Sequence, residues 1–182
     1  MKPIALLVSL LSILGLSACS SPHPPMKTVD YVDLNRFMGD WYVIAAIPTF
    51  LEKESYNAVE SYALTDEGNV ATTFTFLEGG FDGKKKEFHP MGFVVDKKSN
   101  ALWGMQFIWP IKADYRVVYL DKDYRQTVIG REKRDYVWIM ARAPEIPEQD
   151  YTRLLKFLAD LGYDTGKIRK VPHRWDTREN QS

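Results

Sequence analysis

The sequence predicts an all-β protein, an eight-stranded antiparallel up-and-down β-barrel with one C-terminal α-helix packed outside it. Beyond Gly39, β-branched and aromatic residues fall in short runs separated by turn residues at intervals of roughly ten. The connections between runs are short, so each run pairs with the next. Eight strands in such a meander can close on themselves and leave no edge exposed. Only one stretch, near the end of the chain, shows helical periodicity.

Residues 1–18, MKPIALLVSLLSILGLSA, carry one positive charge at Lys2 and then an apolar run from Ile4 to Leu16, too short to span a bilayer comfortably. They read as a signal peptide, outside the fold. The ending Leu16-Ser17-Ala18-Cys19 resembles the lipobox of bacterial lipoproteins, which implies cleavage before Cys19 and a diacylglyceryl group on its thiol. Cys19 is the only cysteine, so no internal disulfide forms. Residues 19–30 are expected to be the lipidated N-terminus and a Pro-rich, extended tether. Ser20 after the cysteine resembles lipoproteins sorted to the cell outer membrane of a Gram-negative bacterium, which implies membrane attachment through the N-terminal lipid anchor.

The chain carries 24 basic and 24 acidic residues, so no charge field favours nucleic acid. Residues 31–175 are long enough for one domain with its own core, and 176–182 form a C-terminal tail. Strands are expected over 41–47, 57–64, 70–76, 87–95, 101–108, 115–120, 126–131 and 136–142. The joining turns are 66–69, 79–83, 97–100 and 121–124, rich in Asp, Gly, Asn and Lys. Pro147 opens the helix, with Glu148 and Asp150 in a first turn whose dipole favours acids. Tyr151, Leu154, Leu155, Leu158 and Leu161 share one face, and Gly162 is placed to end it. A last short strand is expected over 167–171.

Three stretches resemble the signatures of the lipocalin family. NRFMGDWY, residues 35–42, is similar to the short helical turn and Gly-x-Trp at the closed end of the lipocalin calyx. LDKDYRQTVIG resembles the second signature, with Asp123 and Tyr124 in the turn, and DYVWIMAR resembles the third, ending in Arg142. The likeness covers about Leu34 to Trp175 and is strongest to the bacterial outer-membrane lipoprotein branch, itself similar to apolipoprotein D. It implies that Gly39 lets the chain pass beneath the floor, that Trp41 plugs it, and that Arg142 lies on the Trp41 ring as a cation–π lid. These three are the structural closure.

If Trp41 points inward, alternation sends Val43 and Ala45 inward as well. Extended through the resemblance, the same phase turns Tyr62, Phe74, Phe76, Phe88, Val94, Trp103, Met105, Phe107, Tyr115, Val117, Tyr136, Trp138 and Met140 towards the interior. Such a wall suits a ligand with a long hydrocarbon tail and one polar end. Glu60 shares the phase of Tyr62 and breaks that wall. It marks a polar ligand end, or the register of its strand is shifted by one and it faces solvent. Lys84, Lys85 and Lys86 are expected in a hairpin loop, either solvated or at the mouth attracting anionic head groups.

His23, His89 and His173 lack metal-ligand spacing, and no Gly-x-Ser-x-Gly elbow is present. No metal, cofactor or catalytic residue is expected. The resemblance implies a binder that stores or transports fatty acids and lysophospholipids in cell-envelope maintenance; the sequence leaves its oligomeric state open between monomer and homodimer. Two alternatives remain open at this stage, an enzyme acting on a lipid or isoprenoid in the same cavity and a structural envelope lipoprotein with a filled barrel.

Overall fold

The computed structural model describes residues 23–175. The expected signal peptide, Cys19 and the tail 176–182 lie outside the described residues. In chain order the elements are α1 (Leu34–Phe37), β1 (Gly39–Ile47), β2 (Ser55–Leu64), β3 (Val70–Glu78), β4 (Lys84–Phe88), β5 (Met91–Val94), β6 (Leu102–Ile108), β7 (Ile111–Leu120), β8 (Gln126–Gly130), β9 (Val137–Ala141), α2 (Glu148–Asp160) and β10 (Arg169–Lys170). All pairings are antiparallel and follow the meander. β1 also pairs with β9, from Tyr42 opposite Ala141 to Ile47 opposite Val137, and this closes the barrel.

Where one strand was expected over 87–95, two short ones form, both paired with β3 and together making a single stave, so the barrel has eight staves. The break is at Pro90, which has no N–H to give to a ladder. Its carbonyl still accepts the Thr72 N–H at 3.0 Å. Lys84–Lys86 are not in the loop; they begin β4, and Lys86 pairs with Glu78 at 3.1 Å.

The expected last strand shrinks to Arg169–Lys170, preceded by a 3-10 turn over Thr165–Lys167. It pairs with β1 at Ala45 and Ala46, where β2 no longer does, since β1–β2 pairing stops at Tyr42 opposite Val59. β1 is also bulged between Val43 and Ala45. The extra residue shifts the alternation, so Val43 and Ala46 face the interior while Ile44, Ala45 and Ile47 face outward. The expected inward position of Ala45 is therefore corrected: it is fully buried, but in the layer between barrel and helix.

That layer is the second of two cores. Tyr151, Leu154 and Leu158 of α2 pack on Ile44, Ile139 and Val128 of the outer wall, with Leu155 and Leu161 at the border. Gly162 ends the helix with φ +90°, a conformation that L side chains rarely adopt. The inner core fills the closed half of the barrel around Phe37, Trp41 and Trp103.

Residues 23–30 do not leave the barrel. Met26 is buried; its N–H donates to the Glu132 carboxylate at 3.2 Å and its carbonyl accepts from Arg116 at 3.0 Å. Pro24 accepts from Arg134 at 2.7 Å, and Val29 donates to the Val117 carbonyl at 2.9 Å. The described part of the expected tether is strapped along the wall by backbone bonds that need no particular side chain of its own.

Candidate functional site

The closed end is built by local chemistry. Asp33 caps α1, accepting from the Asn35 N–H at 3.0 Å. The turn of helix brings the Phe37 carbonyl to the Trp41 indole N–H at 2.8 Å, so the ring is buried with its donor satisfied. Gly39 has φ +89°, and a Cβ there would stand 3.4 Å from the Arg142 guanidinium. Arg142 approaches to 3.9 Å from the Trp41 ring centroid and donates to the carbonyls of Asp40, Arg36, Phe37 and Met38 at 2.7–3.0 Å. Gly39, Trp41 and Arg142 thus meet at the floor.

Above the floor lies a blind cavity of about 240 Å³. Phe74, Met105, Phe107, Tyr115, Tyr136 and Trp138 border it, together with Thr72, Ala113 and Ile111. It opens between the β1–β2 and β6–β7 connections, where Phe50, Ile108, Trp109 and Ile111 are mostly exposed and form an apolar rim. The volume sits just below the ~300–1,000 Å³ usual for ligand pockets. The interior is not filled.

Of the residues expected to line the cavity, Val43, Tyr62, Phe76, Phe88, Val94 and Val117 pack in or against the inner core without bordering the space. Ala45 lies outside the barrel wall. Phe107 is about half exposed at the rim.

Glu60 faces inward and is buried, so the register of β2 is the one its alternation implies. Its Oε2 accepts the hydroxyls of Tyr62 and, at 3.2 Å, Tyr115, and the two tyrosine hydroxyls are themselves hydrogen-bonded. Burial pushes Glu60 up to about 7, with the charge of Glu52 adding to the rise and the tyrosine bonds opposing it. Burial and then the Glu60 charge push both phenols well above their usual value.

Sequence reasoning missed three charged groups at the cavity, Glu52, Asp114 and Arg131. Glu52, in the β1–β2 connection, folds inward to accept the Trp138 indole N–H at 3.2 Å and the Thr49 N–H at 3.0 Å. Burial raises its pKa despite those bonds. The available signal was the apolar pair Phe50-Leu51 in a connection that ought to be polar. Arg131 borders the cavity too, stacked 5.1 Å from the Tyr136 ring; its buried Nε lies 3.5 Å from Asp135 without hydrogen-bond alignment. Among the described residues no cluster of His, Cys, Asp or Glu is placed to hold a metal.

A barrel sealed at one end, with a blind apolar cavity open at the other, is a binding calyx for small molecules. The family described as a lipocalin-like domain matches residues 32–173, and the chain belongs to the lipocalin family. It is 31% identical over 156 residues to temperature-induced lipocalin-1 of Arabidopsis thaliana, covering 81% of this chain and 82% of that one. To the outer membrane lipoprotein Blc of Escherichia coli K12 it is 28% identical over 156 residues, covering 83% and 86%. Insecticyanin from the tobacco hornworm Manduca sexta superposes with a TM-score of 0.66 at 15% identity, covering 85% of this chain and 87% of that one, a likeness of fold alone. Family membership makes the chain a binder of small hydrophobic ligands.

Proposed function

We propose that this lipocalin is anchored in the outer membrane through a lipid on Cys19 and holds one single-chain lipid, a fatty acid or lysophospholipid, which it stores or carries in the cell envelope. The observation that carries the reading is the blind apolar cavity of about 240 Å³, a size that suits one chain rather than a larger lipid. Burying each methylene there stabilises the complex by about 0.8 kcal/mol, so binding comes mainly from the tail. The apolar rim offers a path by which a tail passes from a lipid phase without crossing water. The lipobox-like ending at Cys19 and the relative named an outer membrane lipoprotein support the location.

Organic extraction of the chain purified from membranes, followed by mass spectrometry, tests the ligand class. Recovery of one single-chain lipid per protein is expected. Recovery of nothing, with no uptake of added fatty acid or lysophospholipid, would remove the proposal.

A further inference from the structure

We propose that the inner end of the cavity is a subsite for the hydrogen-bond-donating end of a single-chain amphiphile, a hydroxyl, ammonium or un-ionised carboxyl group that enters first and meets the Glu60 carboxylate. This rests on the reading of the cavity as the ligand site and reverses the orientation in which only a methyl end reaches the floor.

Tyr62 and Tyr115 have one phenolic hydrogen each, and both are committed to contacts with Glu60 Oε2 and with each other. With Glu60 ionised, the cluster has no donor left to offer, only lone pairs. Among the described residues no donor reaches Glu60 Oε1. A methyl end pressed against that oxygen would leave a buried acceptor unsatisfied, whereas a donor would satisfy it.

Among the described residues no cation pairs with Glu60. Tyr62 on the same strand, Tyr115 on β7 and Glu52 from the β1–β2 connection are the titratable groups facing Glu60. Its ladder neighbours are Trp41 on β1 and Phe74 on β3, and β9 presents Trp138. Asp114 and Arg131 border the same cavity but stand against other partners, Arg116 at 3.0 Å and Asp135 at 3.5 Å. Because burial brings Glu60 to about 7, its ionisation falls within the range where the preference can be read.

The test uses the delipidated full-length chain and a matched series of dodecanol, dodecylamine, dodecanoic acid and methyl dodecanoate, each displacing a fluorescent fatty-acid probe. The alcohol and amine should bind about tenfold more tightly than the ester, a difference of about 1.4 kcal/mol. The acid should weaken at least about tenfold between about pH 6 and pH 8, because it must enter with its proton, while the amine gains as Glu60 ionises. Glu60→Gln should abolish the amine's gain with pH. An ester as tight as the alcohol and amine, or an unchanged order in Glu60→Gln, overturns the inference while leaving the ligand-site reading intact. If no member binds, that reading falls and the inference with it. Should Glu60→Gln not fold, the wild-type series at the two pH values still decides.

Discussion

Glu52 accepts the indole N–H of Trp138 at 3.2 Å and so ties the connection between β1 and β2 to the inner face of β9. Glu52→Ala leaves that buried donor without its acceptor, at a cost of about 1–3 kcal/mol. Amide exchange should accelerate through residues 49–55, which surround the anchor, and stay unchanged at the closed end. Hydrogen–deuterium exchange of both proteins checks this; equal protection of the connection would show that something other than Glu52 holds it.

The Glu60 carboxyl group should make the protein less stable as the pH rises. Its folded pKa of about 7 lies above the unfolded value of 4.5, so between these the native state binds the proton more tightly. Its stabilisation is complete below the unfolded value and is lost as pH climbs through the folded one, a change of roughly 3 kcal/mol at most. Urea unfolding of wild type and Glu60→Gln at about pH 5 and pH 8 should show a decline in the first that is reduced in the second. Parallel pH dependences would remove Glu60 as the cause.

Trp41 and Arg142 should matter for folding before they matter for ligand. Trp41→Ala deletes a buried ring, at a cost of about 3–5 kcal/mol. Arg142→Lys keeps a charge but loses the planar fork that reaches several carbonyls, and a smaller fall in melting temperature is expected. Calorimetry alongside ligand titration separates the effects. Unchanged melting with abolished binding in Trp41→Ala would make it a ligand residue instead.

Affinity should rise with tail length by about tenfold for every two methylenes and level off once the chain fills the cavity from its inner end to the rim. Ala113→Phe adds bulk at the cavity wall and should bring the plateau to shorter chains. Ala45→Trp, by contrast, should lower stability through overpacking beneath α2 and leave the plateau where it was. Titration with a fatty-acid series distinguishes them, and an affinity independent of length would defeat the apolar-cavity account.

Cys19→Ala should abolish metabolic labelling by palmitate and release the chain or leave it uncleaved in the inner membrane. Equal labelling of wild type and variant would place the lipid elsewhere or nowhere.

The closed barrel and its outer helix were legible because alternation of period two, turn residues and one helical face are local properties. Alternation does not announce where it slips. The bulge between Val43 and Ala45 moved Ala45 to the other side of the wall, and a proline divided the fourth stave. Glu60 had its true direction in the sequence, but burying a carboxylate among aromatics looks unfavourable until Tyr62 and Tyr115 are brought to it from two strands. Glu52 lies beyond a strand end, where no periodicity exists and only the closed barrel decides what a connection faces, and Arg131, expected as the last residue of a strand, stands one residue past β8.

The oxygens that hold the Arg142 guanidinium belong to the main chain of residues 36–38, 40 and 124, not to their side chains. The seal therefore recognises the route of the polypeptide and is indifferent to most of its spelling. Substitution at Met38 changes nothing that the guanidinium bonds, while Trp41, Gly39 and Arg142 itself are constrained. Among the described residues the opposite end has no such device: its Phe50, Ile108 and Ile111 border the cavity directly. Mutation can thus retune what enters this vessel at one end without loosening the stopper at the other.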